Sequence, residues 1–358
     1  ATYLGLCLIN QKSSSDLKRN INNFDFLRFL FALFVVISHA YALSGTPENG
    51  NWLCLITANQ FNFSQLGLNG FFVISGYFIF QSLQRSKSLV EYFKKRFLRL
   101  FPALFMVLLL SVLMIPFVYS GTTPLLQNTS FWTYLPLNLS LYGFQGVVQG
   151  VFDTNSYHAI NGSLWTIRYE FSLYVGLSLL FFIKGYKSIT MSLLVLVFGL
   201  FYIGYNFYVS SLGGASLFNL VGIHVLNLGT FFIGGSVLAS LDFKNWKYRN
   251  QIGVIALLLL VIAVYFGYYN IMKHVLFSIS ILAIGFFPLP VLSSFGKLGD
   301  SSYGIYIYSF PIQQTLVYFF KINTYTLMIT SIVLSIGFGY LSWHLIEKKT
   351  LKYKKNMI

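Results

Sequence analysis

The sequence predicts an all-α protein, a polytopic membrane helix bundle of about ten transmembrane helices with both termini in the cytoplasm. Three observations support this class: the apolar composition, the recurrence of long apolar segments, and the uneven distribution of Lys and Arg. Of the 358 residues, 56% are hydrophobic and only 9% are charged. Soluble domains carry about 25% charged residues, so this chain lacks the polar side chains needed to cover a water-facing surface.

Long apolar segments recur along the chain and are separated by short polar breaks. A membrane-spanning helix needs about 20 such residues. The segments predict spans at 24–43, 66–83, 100–120, 164–183, 189–208, 221–240, 252–269, 274–290, 303–320 and 327–346. We expect one membrane-embedded domain over residues 1–358, with a cytoplasmic tail at 1–23, a basic cytoplasmic tail at 347–358, and an external or re-entrant segment at 121–163.

Positive charge is concentrated on one side of this predicted topology. The net charge is +15, from 24 Lys and Arg against 9 Asp and Glu. With a cytoplasmic N-terminus, twenty of these cations fall on the cytoplasmic side and two on the outer side, while Arg28 and Arg168 enter or border spans. Such asymmetry is typical of membrane proteins, whose basic cytoplasmic loops meet anionic membrane lipids. Topology therefore explains the basic composition, and no nucleic-acid partner is expected.

The first predicted span carries two ionisable residues, Arg28 and His39, which are eleven positions apart. At 100° per residue they are offset by three turns plus roughly 20°, so both lie on one helix face, about 16 Å apart along the axis. Ionisable residues inside a membrane usually face the bundle interior or a watered cavity. Arg28 could instead be a surface anchor paired with Asp25, and His39 a hydrogen-bonded core histidine.

The second predicted span contributes Ser75, and the cytoplasmic loop after it contributes Arg96 and Arg99. Ser75 and Gly76 are small residues within an aromatic run, which either allow close helix packing or leave a narrow channel for a thin ligand. Arg96 and Arg99 are one helical turn apart at the predicted cytoplasmic surface. Two guanidinium groups so placed suit phosphate groups, although a basic pair at this position could also bind lipid head groups.

Glu170 is the only acid that we place well inside a predicted span. A buried carboxylate needs a partner, and Arg168, two positions away, projects toward another face. We expect Glu170 to pair across helices with His39, because a carboxylate beside an imidazole makes it a better base. A purely structural ion pair is the alternative. The two cysteines, Cys7 and Cys54, give neither a disulfide framework nor a metal motif, so no metal is expected.

Six segments together resemble the acyltransferase-3 family of membrane acyltransferases, which includes bacterial O-antigen and peptidoglycan O-acetyltransferases. They are, in order, Asp25-x-x-Arg28 with His39; Phe71-Phe72-Val73-Ile74-Ser75-Gly76; Arg96-x-x-Arg99; Ser163-Leu164-Trp165 through Glu170; Ser302-Tyr303 through Tyr306; and His344 through Glu347. The resemblance covers residues 22–352. The chain departs from many members at Ser309, where a histidine often stands, so a role for that histidine does not carry over.

The resemblance implies acetyl-CoA as donor on the cytoplasmic side and a polysaccharide or lipid-linked glycan, such as lipopolysaccharide O-antigen, as acceptor outside. It also implies a location in the bacterial inner membrane. Arg28, Arg96 and Arg99 suit the phosphates of CoA, and Ser75 lies where the pantetheine arm could pass. His39, assisted by Glu170, could take the acceptor's proton or carry the acetyl group covalently.

A transporter or a flippase for lipid-linked sugars is the alternative from another functional class. Many spans and buried charges would suit it equally well, but it does not explain an Arg-x-x-Arg pair at the cytoplasmic mouth. A membrane glycan polymerase is a weaker alternative, since it would be expected to carry arginines in large outer loops, and the predicted outer loops hold none.

Overall fold

The computed structural model describes residues 22–352, so Cys7 and most of the predicted tails at 1–23 and 347–358 lie outside the described part of the chain. The longer helices are α1 (Phe24–Leu43), α2 (Phe63–Arg85), α3 (Leu89–Val118), α4 (Thr129–Leu139), α5 (Ile167–Ser178), α6 (Lys187–Phe207), α7 (Gly222–Ser240), α8 (Arg249–Tyr265), α9 (Tyr269–Phe286), α10 (Ser302–Phe320) and α11 (Thr324–Ser342). Two strands of two residues each, Ser216–Leu217 and Leu220–Val221, pair antiparallel and form the one sheet within residues 22–352.

Short helical turns complete the described structure. Short α-helices lie at Trp52–Ile56, Val209–Leu212, Pro290–Ser293 and Lys348–Lys352. Single 3₁₀ turns lie at Glu48–Gly50, Leu125–Gln127, Gly162–Thr166, Leu179–Ile183, Phe243–Asn245 and Phe295–Lys297, and a π-helical turn lies at Trp343–Glu347.

Every predicted span coincides with a helix. Eight helices within residues 22–352 are long and apolar enough to cross a membrane. Of the other two predicted spans, α8 has only 17 residues, and α10 has 19 residues that include several polar side chains. The all-α polytopic membrane bundle is therefore confirmed, while the count of ten spans and the cytoplasmic termini stay predictions.

Polar side chains fix the beginnings of the helices that carry the site. At the start of α2, Asn62 Oδ1 accepts from Gln65 N at 2.8 Å while Asn62 N donates to Gln65 Oε1 at 3.2 Å. This reciprocal arrangement satisfies backbone donors that a helix start leaves free. Ser88 Oγ accepts from Glu91 N at 3.1 Å and begins α3 in the same way.

Helices α1 and α7 flank α2, and small residues let α2 and α7 approach closely. A Cβ atom on Gly76 would lie 1.8 Å from Phe232 O, and one on Gly235 would lie 2.1 Å from Val73 O. Ser236 Oγ donates to Gly76 O at 3.0 Å across the same contact. Gly76 thus serves helix packing, while the neighbouring Ser75 faces a cavity on another side of α2.

The segment 121–163 folds as an irregular cap around one short helix. Helix α4 has 11 residues and is therefore about 16 Å long, well short of the hydrocarbon core of about 30 Å. Ser120 N donates to Gly150 O at 2.7 Å and ties the start of this connection to its later part. Its placement relative to the membrane stays a prediction.

The last helix extends beyond the predicted span at 327–346. This extension corrects the expectation that Glu170 is the only acid well inside a long apolar helix. Its π turn leads into a helical end that reaches Lys352. Glu347 is buried within this stretch, and Ser342 Oγ donates to its Oε1 at 3.1 Å. Glu170 is therefore not the only acid inside a long apolar helix. The expectation failed because Glu347 borders a basic sequence, which made it resemble the start of a tail.

Candidate active site

A cavity of about 450 Å³ opens at the basic end of the bundle, between α1, α2, α3, α5 and α10. Its polar lining combines basic, acidic and neutral hydrogen-bonding side chains: Asn22, Asp25, Arg28, Ser75, Ser82, Arg85, Lys95, Arg96, Arg99, Thr166, Glu170, Tyr174, Ser302, Tyr303 and Tyr306. Five of the six residues predicted as site residues line this one cavity. His39, the sixth, is not among its lining residues.

Asp300 is the acid that organises the mouth of the cavity. Arg99 Nη2 donates to Asp300 Oδ2 at 2.5 Å, and Arg28 Nη1 lies 3.6 Å from the same oxygen. Arg28 Nη1 also donates to Asp25 Oδ1 at 3.2 Å. Burial alone would raise the pKa of the Asp300 carboxyl, but Arg99 and Arg28 outweigh burial and hold that pKa well below its usual range. Asp300 thus stays ionised and fixes both guanidinium groups.

Arg96 is held differently from Arg99, although the two are one turn apart. Its Nη2 donates to Ser82 Oγ at 3.1 Å, and its guanidinium lies over the rings of Tyr92 and Tyr174 at 5.8 and 5.9 Å. Its Nε is buried without a hydrogen-bond partner. Within residues 22–352 the ion pairs include Arg99 but not Arg96. Arg96 therefore keeps its charge uncompensated by a contacting acid, as an anion-binding arginine requires.

Further into the cavity, Glu170 lies at the centre of a hydroxyl cluster. Ser75 Oγ donates to Glu170 Oε1 at 2.9 Å, and the Tyr174 hydroxyl donates to the same oxygen. The two hydroxyls lie 3.2 Å apart. This cluster joins α2 to α5 and gives the half-buried carboxylate hydrogen-bond partners. It also places hydroxyl groups and one carboxylate beyond the arginines.

The expected hydrogen bond between Glu170 and His39 is not formed in the described structure. Glu170 Oε1 takes the nearer hydroxyls of Ser75 and Tyr174, whereas His39 Nδ1 is buried without a hydrogen-bond partner. The His39 ring instead meets the Phe310 ring edge-on, with centroids 5.0 Å apart. Tyr306, which lines the deep end of the cavity, precedes Phe310 by one helical turn, about 6 Å along α10. His39 thus lies about one turn beyond the cavity.

Two residues of the site were missed from the sequence. Asp300 stands in a loop before α10, where a single acid resembles a helix-start residue. Tyr174 is one of 25 tyrosines, although its position one turn after Glu170 is a usable signal, since residues four apart share a helix face. No group of three or more His, Cys, Asp or Glu side chains in the described residues is arranged to hold a metal ion.

The fold and cavity define a multi-pass membrane protein with a cationic site built into one end of its helix bundle. Residues 21–344 match the acyltransferase-3 family, described as an acyltransferase domain. The chain belongs to this family, which confirms the resemblance found in its sequence. It is a membrane acyltransferase.

Two relatives extend over nearly the whole chain. An "O-acetyl transferase" of Shigella phage Sf6 is 31% identical over 345 residues, covering 92% of this chain and 96% of the relative. "Nodulation protein 10" of Rhizobium leguminosarum bv. viciae is 27% identical over 374 residues, covering 94% of this chain and 95% of the relative. No solved structure matches this chain significantly.

Proposed function

We propose that this protein transfers the acetyl group of cytoplasmic acetyl-CoA to a hydroxyl of a surface glycan such as lipopolysaccharide O-antigen, in the bacterial inner membrane. The observation that carries the proposal is the order of groups along the cavity of about 450 Å³. Cations stand at its mouth, hydroxyls and Glu170 stand deeper, and His39 lies about one helical turn further on. This order matches a donor with a phosphorylated end, a neutral arm and a reactive thioester.

The three arginines would contribute to donor binding in different ways. Arg96, which has no contacting acid, would bind a donor phosphate directly. Arg28 and Arg99, both paired with Asp300, form a fixed positive edge whose charge is partly neutralised. Ser75 lies on the wall along which the uncharged pantetheine arm would pass. A buried charge-assisted hydrogen bond contributes about 1.5–3 kcal/mol, so Arg96 should dominate the affinity for donor phosphate.

His39 is proposed as the residue that handles the acceptor proton. Its imidazole has an unpartnered buried nitrogen, Nδ1, and lies next to an aromatic ring rather than a charge. In direct transfer, the acceptor oxygen attacks the thioester carbon, its proton passes to His39, and the CoA sulfur leaves and is then protonated. In the covalent alternative, a His39 nitrogen attacks the thioester carbon and CoA leaves as the thiolate; the acceptor oxygen then attacks the acetyl carbon, the imidazole leaves, and the acceptor's proton returns to it.

Glu170 is proposed to act on the donor side of the reaction. Because Ser75 and Tyr174 both donate to it, the carboxylate orients their hydroxyl groups within the cavity. These hydroxyls could turn toward the thioester carbonyl when the donor is bound, where charge develops during transfer. Glu170 would then be a positioning residue, unless the bundle rearranges to bring it to His39.

The test combines a donor assay with glycan analysis. Purified protein in lipid nanodiscs should bind acetyl-CoA, and host cells expressing it should carry acetylated surface glycan that cells lacking it do not. Mass spectrometry of the glycans measures the second outcome. Acetyl-CoA binding without any acetylated product would refute glycan acetylation, and substrate movement across the membrane without acyl chemistry would favour the transporter or flippase.

A further inference from the structure

Helix α10 contains a proline, Pro311, near its middle. Proline has no backbone N–H, so it cannot donate to the carbonyl oxygen of the residue four positions earlier, which is Ile307. Ile307 is fully buried, and buried carbonyl groups in folded proteins are almost always paired. Ile307 O therefore needs a donor other than the regular hydrogen bond of the helix.

The cap supplies that donor. Asn161 Nδ2 donates to Ile307 O at 2.8 Å, although the two residues are 146 positions apart. The other end of the same amide, Asn161 Oδ1, accepts from Ser163 N at 3.1 Å and begins the 3₁₀ turn that leads into α5. Asn161 is only 1% exposed. One buried side chain thus joins the end of the cap to α10.

Gln314 makes a second connection between α10 and the cap, two helical turns after Ile307. Its Nε2 donates to Tyr157 O and to Ala159 O, both at 2.6 Å. Its Oε1 accepts from Asn155 Nδ2 at 2.8 Å. The Gln314 side chain is fully buried, and its amide uses both N–H groups and its oxygen to hold cap residues 155–159.

Phe310 lies between these two connections. Residues 307, 310 and 314 are three and four positions apart and therefore share one face of α10. The Phe310 ring meets the His39 ring at 5.0 Å and the Tyr157 ring at 6.0 Å between centroids. A Cβ on Gly162 would lie 2.5 Å from Phe310 Cε2, so the ring has no spare room on the cap side. A shift of the cap along α10 would therefore displace the ring beside His39.

The neighbouring Gln313 fixes the helix that carries His39. Its Nε2 donates to Val36 O on α1 and to Ser331 Oγ on α11, each at 2.9 Å. Val36 precedes His39 by three residues, so this bond holds the turn of α1 that ends at His39. Helix α10 is thus the common support of His39 and of the cap.

We propose that Asn161 and Gln314 are positioning residues for acetyl transfer. They hold cap residues 155–162 against Phe310, so that an acceptor hydroxyl entering beside the cap reaches His39 in a fixed geometry. Neither residue is among those that line the donor cavity in the described structure. Their loss should therefore lower turnover without weakening donor binding. The inference rests on the proposed function, in which His39 handles the acceptor proton.

The first test uses a substitution that keeps the local turn. In Asn161→Ser, the serine oxygen can still accept from Ser163 N, but the side chain is too short to donate to Ile307 O. Turnover per donor-binding site should fall roughly tenfold, the effect of one hydrogen bond, while the KM for acetyl-CoA stays unchanged. Labelled acetyl-CoA added to inside-out membrane vesicles of the host measures turnover, and titration of the same vesicles counts donor-binding sites.

A second substitution, Pro311→Ala, separates positioning from stability. Alanine restores the N–H that Ile307 O lacks, and the carbonyl oxygen keeps a second lone pair for Asn161. In the Pro311→Ala background, Asn161→Ser should no longer lower the melting temperature but should still lower turnover roughly tenfold. Recovery of turnover together with stability would show that Asn161 only satisfies a buried carbonyl group.

Gln60 provides a matched control for Gln314. Its Nε2 also donates to two backbone oxygens, Thr57 O at 3.0 Å and Val264 O at 2.7 Å, but it joins a loop to α8 rather than the cap to α10. Gln314→Met should lower turnover per donor-binding site tenfold or more, because two donated hydrogen bonds are lost. Gln60→Met should leave that turnover unchanged. Equal losses of turnover in the two variants would contradict a positioning role.

The outcomes separate this inference from the proposed function. Wild-type turnover in both Asn161→Ser and Gln314→Met, in vesicles where the wild type transfers acetyl groups, would refute the positioning role and leave the proposed function intact. The absence of any transfer by the wild type would refute the proposed function, and the inference with it.

Discussion

Asp300 accepts a hydrogen bond from Arg99 at 2.5 Å, although the two residues are 201 positions apart in the chain. This contact ties α3 to the loop before α10 at the mouth of the donor cavity. It gives Arg99 and its neighbour Arg96 different electrostatic surroundings. Substitutions at Asp300, Arg99 and Arg96 should therefore differ in their effects on the free energy of unfolding and on donor affinity.

Asp300→Asn should lower the free energy of unfolding by about 3 kcal/mol, the low end for a broken buried ion pair, because Arg99 keeps 32% of its side chain exposed. Asp25→Asn is the control. It breaks only the partly exposed pair with Arg28 and should cost under about 1 kcal/mol. Thermal unfolding in one detergent measures both. Equal losses would mean that Asp300 is not the organising acid.

The stability difference between wild type and Asp300→Asn should also depend on pH in a defined direction. The pKa of Asp300 is depressed in the folded protein, so its contribution is present above the pKa of the unfolded state and is lost as pH falls through the folded value. The difference in melting temperature should therefore stay constant from about pH 8 to pH 5. A difference that already declines across this window would contradict the paired carboxylate.

Arg96→Ala should weaken acetyl-CoA binding roughly tenfold or more, since it removes a cation that has no contacting acid. Arg99→Ala should change affinity less and stability more, because it leaves Asp300 buried without its closest partner. Arg96→Lys should restore only part of the affinity. Isothermal titration at two salt concentrations, together with unfolding curves, distinguishes the two arginines. Identical profiles for Arg96→Ala and Arg99→Ala would refute this division.

Glu170→Gln should reduce turnover strongly while leaving acetyl-CoA affinity nearly unchanged. Glutamine keeps an oxygen that can accept from Ser75 and Tyr174 but lacks the negative charge, so the loss should fall on the transition state. Initial rates over a range of donor concentrations separate kcat from KM. A large rise in KM with kcat unchanged would make Glu170 a donor-binding residue instead.

His39→Ala should abolish transfer with little effect on folding, because the buried His39 Nδ1 has no hydrogen-bond partner within residues 22–352. His344→Ala serves as the control, since this histidine is exposed on the last helix, and it should transfer normally. Acetylation of the host glycan measures both. Normal acetylation in His39→Ala would remove His39 from the chemistry.

Gly162→Ala should slow transfer by displacing the Phe310 ring, because a Cβ at Gly162 would lie 2.5 Å from Phe310 Cε2. A displacement of about 1 Å near reacting groups can cost on the order of 100-fold in rate. Gly146 lies in the same connecting segment, where an added Cβ would meet Phe144 Cζ at 3.4 Å, so Gly146→Ala should be tolerated. Equal rates in both variants would show that Phe310 does not position His39 or the acceptor.

The sequence determined the helical architecture because each span is a local feature. Apolar length predicts where the long helices lie, and the 3.6-residue period predicts that Arg28 and His39 share one face of α1. The cost of burying charge in a membrane also marked Arg28, His39 and Glu170 as residues needing an explanation. Five of the six predicted site residues line one cavity, which local pattern and family resemblance together could indicate.

The tertiary structure alone decided which residues meet. In the folded chain, Glu170 accepts hydrogen bonds from Ser75 and Tyr174, and Arg99 pairs with Asp300. Glu347 is buried, and the donor cavity ends about one turn before His39. In a soluble protein, an apolar stripe reveals which face of a helix is buried. Here the lipid-facing and protein-facing sides are both apolar, and partners across helices are set by small residues and hydroxyl positions that hydropathy does not distinguish.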